Sequence, residues 1–226
     1  MCSCPDCIAE REAHLRAIQD RARVDAVERL WRQSGLAGRW REKTFESFDA
    51  SRQTATFSIC RRYAETLDKA GESLLLTSEG FGIGKTHLAV AIGNYVLSHY
   101  MRSVVFTTGQ ELVLRLRATY SDRDSSEYQL LSALREADLL ILDDVGKERH
   151  SEYVESVYYQ VINARYVASK PLVLTTNVRW EDLGEHIGYA ALSRLAEMCQ
   201  VVEMSGDDYR LRSPGPGREE KIQCLK

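Results

Sequence analysis

An α/β fold built on a parallel sheet is predicted by three features of the sequence. Strand-like and helix-like segments alternate from residue 74 onward, the pattern of a sheet covered by helices. Runs such as Leu74-Leu75-Leu76 and Leu139-Leu140-Ile141-Leu142 are apolar at consecutive positions, as strands buried on both faces require. Between the first such run and the next helix lies Gly80-Phe81-Gly82-Ile83-Gly84-Lys85-Thr86, a glycine-rich turn of the phosphate-binding kind.

Taken in order, residues 8–34 read as a charged helix with Ile8, Leu15, Ile18, Val24, Val27, Leu30 and Trp31 as apolar members. That stripe is loose and suits docking better than independent folding. Phe45 and Phe48 precede a helix over residues 52–70, closed by Gly71. Strands are predicted at 74–77, 103–107, 139–142, 172–175 and 201–204, and helices at 85–100, 110–119, 154–168 and 190–198. Residues 122–126 read as a polar loop, and the tail 213–226, with Pro-Gly-Pro-Gly, as disordered. The expected organisation is an N-terminal extension (1–45), an α/β domain (46–212) and the tail (213–226). About two dozen residues follow Val202, too few for an added helical lid.

A net charge of −3 over 226 residues gives no bulk electrostatic argument for nucleic acid, which would need a local basic patch. No apolar run approaches the ~20 residues needed to cross a bilayer. No secretory leader is apparent, so the cytoplasm is expected, without membrane partners. Six cysteines are present, and a reducing compartment argues against a disulfide framework.

The chemistry concentrates in three segments. In the glycine turn, Gly80, Gly82, Ile83 and Gly84 let the backbone curl until its N–H groups face a phosphate, and the following helix adds its positive end. Lys85 is placed for the β- and γ-phosphates of ATP, and the Thr86 hydroxyl for Mg²⁺, with His87 beside them. The usual first glycine is replaced by Glu79, so a slightly altered turn is expected. The second segment ends a strand in Asp143-Asp144: Asp143 suits Mg²⁺, and Asp144 suits orientation of the attacking water. Many ATPases carry glutamate at the latter position, and the shorter side chain predicts slower hydrolysis. The third ends a strand in Thr175-Thr176-Asn177, where Asn177 is either a sensor of the γ-phosphate or a cap for a helix near Trp180.

Together with Ser34-Gly35-Leu36, Thr44-Phe45-Glu46-Ser47-Phe48, Asn163-Ala164-Arg165-Tyr166, Ala191-Leu192-Ser193-Arg194-Leu195 and Asp208-Tyr209-Arg210-Leu211-Arg212, these segments resemble the DnaC/DnaI/IstB group of AAA+ proteins. The resemblance implies the AAA+ sheet order 5-1-4-3-2, ATP-driven self-association, single-stranded DNA binding and loading of a hexameric replicative helicase. In its transposition branch it implies delivery of a transposase to target DNA. It also implies that Arg194 is an arginine finger for a neighbouring subunit and that Arg210 is a second sensor within its own. From the residues alone, both are equally readable as solvated charges.

At the N-terminus, Cys2, Cys4, Cys7 and His14 offer four ligands for Zn²⁺, with Cys4-Pro5-Asp6-Cys7 in C-x-x-C spacing. The tight Cys2-x-Cys4 spacing equally fits a reduced tail. Lys147, Arg149, His150, Arg115 and Arg117 are candidate DNA contacts or an ordinary solvated charge mix. The expected function is a helicase loader. The alternatives are an IstB-like transposition ATPase, a scaffold that binds ATP without turnover, and a small-molecule kinase.

Overall fold

The computed structural model describes residues 25–209 apart from residues 31, 71 and 120–126. Five parallel strands, β1 (Ser73–Thr77), β2 (Val104–Thr108), β3 (Leu139–Val145), β4 (Leu172–Thr176) and β5 (Cys199–Glu203), lie in the order β2-β3-β4-β1-β5. This is the expected order, read from the other edge. Helices α1 (Thr54–Ala70), α2 (Lys85–Tyr95), α3 (Gly109–Thr119), α4 (Glu127–Glu136), α5 (Glu152–Val167), α6 (Leu183–Ile187) and α7 (Tyr189–Met198) connect and cover them.

The consecutive apolar residues of the strands divide between two cores. Leu74, Leu76, Leu139, Ile141 and Val173 face α1 and α2, where Cys60, Ala64, Leu88 and Ile92 meet them. Leu75, Leu140, Leu142, Leu172 and Leu174 face the opposite side, with Leu112, Val157, Ile162 and Leu195. The period-two alternation thus splits one apolar run between two helical layers. Residues assigned to the N-terminal extension join the first core: Leu36 is fully buried and Phe45 nearly so. Asn94 on α2 ties this stretch down by donating to the Trp40 and Lys43 carbonyls at 2.9 and 2.8 Å.

Several element boundaries differ from expectation. The helix predicted over 85–100 is α-helical only to Tyr95. It closes in a π-turn at Val96–Tyr100, ended by Met101 at φ +53°. Helix α6 is a single apolar turn, too short to show a period, and α4 is an amphipathic helix of only ten residues; neither is among the predicted elements. β3 runs on through Val145, so both aspartates belong to the strand, at a register shift against β4. Beyond β5, Met204 donates to Thr77 O at 2.8 Å, Gln53 Nε2 to Ser205 O at 2.7 Å, and Tyr209 to Gly82 O at 3.1 Å. This segment straps the outside of the glycine turn.

Arg165 is fully buried on α5, and its guanidinium donates to the carbonyls of Leu134, Arg135, Ala137 and Pro171. Burial draws its pKa down to about 10, so it stays charged at neutral pH, compensated chiefly by carbonyl dipoles. It ties the end of α4 to the starts of β3 and β4. Arg165→Ala is expected to cost at least roughly 3 kcal/mol, because buried acceptors lose their donor. Urea unfolding checks this, and an unchanged midpoint would contradict it.

Candidate nucleotide site

The C-terminal edge of the sheet collects the glycine turn, the end of β3 and the end of β4. Gly82 and Gly84 have φ of +67° and +111°, a region that side chains disfavour. A Cβ on Gly82 would overlap the Asp208 carboxylate, and one on Gly84 would lie 2.7 Å from Phe48 Cε2. Lys85 is 5% exposed. Its ammonium donates to Ser78 Oγ, to Gly80 O at 3.0 Å and to Asn177 Oδ1 at 2.7 Å. Glu79, in place of the usual glycine, points outward and pairs with Arg179 at 3.5 Å.

On the acid side, Thr86 Oγ1 and Thr175 Oγ1 donate to the same Asp143 oxygen at 2.8 and 2.6 Å. Burial raises the pKa of Asp143, opposed by these two hydrogen bonds, while the charge of Asp144 raises it further. A buried carboxylate beside a second carboxylate and a threonine hydroxyl is an all-oxygen set that suits a hard divalent cation such as Mg²⁺. Asp144 has φ +55°, where Asp and Asn are the best tolerated residues after glycine. Its amide donates to Thr175 Oγ1 at 2.9 Å, fixing the irregular end of β3. Asn177 Nδ2 donates to Asp144 Oδ1 at 3.1 Å and Lys147 Nζ to Asp144 Oδ2 at 2.8 Å.

Asn177 therefore bridges Lys85 and Asp144 and caps no helix. The following helix, α6, starts at Leu183 with Asp182 at its N-cap. His87 lines the same cavity, but its Nε2 is engaged with Thr44 O at 3.0 Å and Ser47 Oγ at 3.2 Å. Burial lowers its pKa, which favours the neutral ring. The cavity measures ≈ 570 Å³, within the range of small-molecule sites. Trp40, Phe48, Gln53 and Lys147 also line it. In the sequence, Phe48 belongs to the Thr44–Phe48 motif without an assigned role, Lys147 reads only as a candidate DNA contact, and Trp40 and Gln53 carry no signal.

Other predicted residues lie elsewhere. Arg194 on α7 does not line the cavity. It donates to Asn163 Oδ1 at 2.7 Å, Ala190 O at 2.9 Å and Tyr159 OH at 3.0 Å, and lies 4.6 Å over the Tyr159 ring. Arg210 and the four zinc candidates, Cys2, Cys4, Cys7 and His14, fall outside the described residues. Of the candidate DNA contacts, Arg115 pairs with Glu111 at 2.7 Å and His150 with Glu155 at 2.6 Å. Arg117 lies 5.2 Å over the Tyr153 ring. Among the described residues, no helix is long and apolar enough to cross a membrane.

The replicative helicase loader DnaC of Escherichia coli strain K12 is 28% identical over 203 residues, 88% of this chain and 82% of the relative. DnaC of Buchnera aphidicola subsp. Schizaphis graminum is 26% identical over 172 residues, 75% of this chain and 69% of the relative. Among solved structures, the DnaC helicase loader superposes with a TM-score of 0.67 at 23% identity, over 75% of this chain and all of that one. The replication initiator DnaA bound to AMPPCP and single-stranded DNA gives 0.64 at 20% identity, over 81% and 59% of the two chains. These superpositions establish the AAA+ fold. The family model described as IstB-like ATP binding protein matches residues 11–215, nearly the whole chain, and the chain belongs to that family of AAA+ ATPases.

Proposed function

We propose that the chain binds MgATP, hydrolyses it, and uses the cycle to load a hexameric replicative helicase onto single-stranded DNA in the cytoplasm. The observation that carries the ATPase reading is the connected set Lys85–Asn177–Asp144, beside the Thr86–Asp143 pair at one sheet edge. Lys85 neutralises the β- and γ-phosphates, while Thr86 and Asp143 hold Mg²⁺, which would shield the charge of the terminal phosphates. Asp144 orients water, and Asn177 fixes Asp144 relative to Lys85. Arg194 serves a neighbouring subunit, and Arg210 its own.

The loading role rests on likeness to DnaC loaders over most of both chains. The IstB description of the family supports a second reading, in which the chain delivers a transposase to duplex DNA. Filter binding separates them. The loader reading expects affinity for single-stranded DNA to rise with ATP. It should fall roughly tenfold or more between 50 and 200 mM salt, as counterion release requires. A preference for duplex would favour the transposition reading, and no DNA binding in any nucleotide state would contradict both.

A further inference from the structure

Lys147 lines the same cavity as Lys85, Asp144 and Asn177. Its position is built rather than incidental. Gly146, at φ +89°, turns the chain back toward the site, and its amide donates to Glu148 Oε2 at 3.0 Å. Glu148 thereby closes the turn around Lys147. The ammonium reaches Asp144 Oδ2 at 2.8 Å and lies 5.6 Å from the ring centroid of Phe81. Phe81 is 57% exposed at the tip of the glycine turn, and its ring offers the ammonium a cation–π partner. A line of contacts therefore runs from Phe81 through Lys147, Asp144 and Asn177 to Lys85.

In this arrangement both oxygens of Asp144 are engaged, one by Asn177 and the other by Lys147. A carboxylate has about four acceptor sites, so these two donors leave others open, and on the Oδ2 side the Lys147 ammonium competes with water for position. The Lys147 side chain is 38% exposed, so the pair is weak and readily exchanged. A terminal phosphate carries more negative charge than a carboxylate and attracts an ammonium more strongly.

We infer that Lys147 is the residue by which this site tells a nucleoside triphosphate from a diphosphate: its ammonium is shared between Asp144 and the terminal phosphate. When the terminal phosphate draws it away, Asp144 Oδ2 is freed to hold water. Lys147 thus acts as a positioning residue for Asp144 and as a second cation beside Lys85. The inference rests on the ATPase reading given above.

The test is equilibrium titration of the full chain with ADP and with a non-hydrolysable ATP analogue, both with Mg²⁺. The proteins compared are wild type, Lys147→Met and Lys147→Arg. Lys147→Met is expected to lose about two- to fivefold of the preference for the triphosphate, the range for a partly exposed cation. The loss should come through the triphosphate constant alone, and retained ADP binding shows that the variant is folded. Lys147→Arg should keep the preference, and added salt should erode it in wild type more than in Lys147→Met. An unchanged preference in Lys147→Met, or equal losses for both nucleotides, would overturn the role of Lys147. A wild-type chain that binds neither nucleotide would instead refute the ATPase reading itself.

Discussion

Arg194→Ala is expected to lower ATP turnover of the assembled protein by about 10³-fold, while leaving the ATP affinity of the dilute chain unchanged. The Arg194 guanidinium is held by Asn163, Tyr159 and the Ala190 carbonyl on the surface made by α5 and α7, away from its own cavity. A cation fixed there serves catalysis only by facing the pocket of another subunit, where it stabilises charge that develops in the transition state. Because the side chain also packs on Tyr159, Arg194→Lys is a necessary control: it keeps charge but lacks the planar fork. Mixing Arg194→Ala with Lys85→Ala subunits should restore part of the activity, since some interfaces then pair an intact pocket with an intact finger. Co-assembly without recovery would remove Arg194 from the reaction.

Asp144→Asn is expected to retain ATP binding and to lose roughly 10²–10⁴-fold in turnover, the span for removal of a positioned base. The substitution is unusually clean at this position. Asn tolerates the left-handed backbone, φ +55°, nearly as well as Asp does, so stability should change little. Equal ATPase rates for wild type and Asp144→Asn would contradict the role given to Asp144. The same backbone argument gives a physical reason for aspartate where many ATPases carry glutamate: a longer side chain in the left-handed region costs roughly 1 kcal/mol or more.

The parts of this site that could be read in the sequence are those whose chemistry dictates residue type. Asp143 lies near the end of an apolar strand and Asn177 directly follows one, while Lys85 and Thr86 follow the first strand across a glycine turn, so strand and turn prediction together deliver them to one sheet edge. Lys147 was visible only as one of several basic residues. Its place depends on left-handed turns at Asp144 and Gly146, which bend it back into the cavity. Trp40 and Phe48 reach the cavity from a segment lying far earlier in the chain, a contact that no local pattern encodes. Helices α4 and α6 were missed for a different reason. Leu183 and Ile187 make a single apolar turn on α6, and Leu134 is the one fully buried residue of α4. α6 gives periodicity no second repeat to register, while α4 adds Leu130 and Leu131 to Leu134 but is only ten residues long. Arg165 stood in a quoted motif, but only the structure reveals a cation buried among carbonyls.

Lys85 is expected to anchor a MgATP site at this sheet edge. Calorimetric titration of wild type and Lys85→Ala with a non-hydrolysable ATP analogue in Mg²⁺ tests it directly. Lys85 is nearly buried and already bonded to Ser78, Gly80 and Asn177, so its ammonium is fixed before any phosphate arrives. Losing a fixed, charge-assisted donor should weaken binding by about 100-fold or more. Saturable binding by wild type that collapses in Lys85→Ala is the predicted result. Equal affinity in the two proteins, or no binding by wild type, would contradict the account.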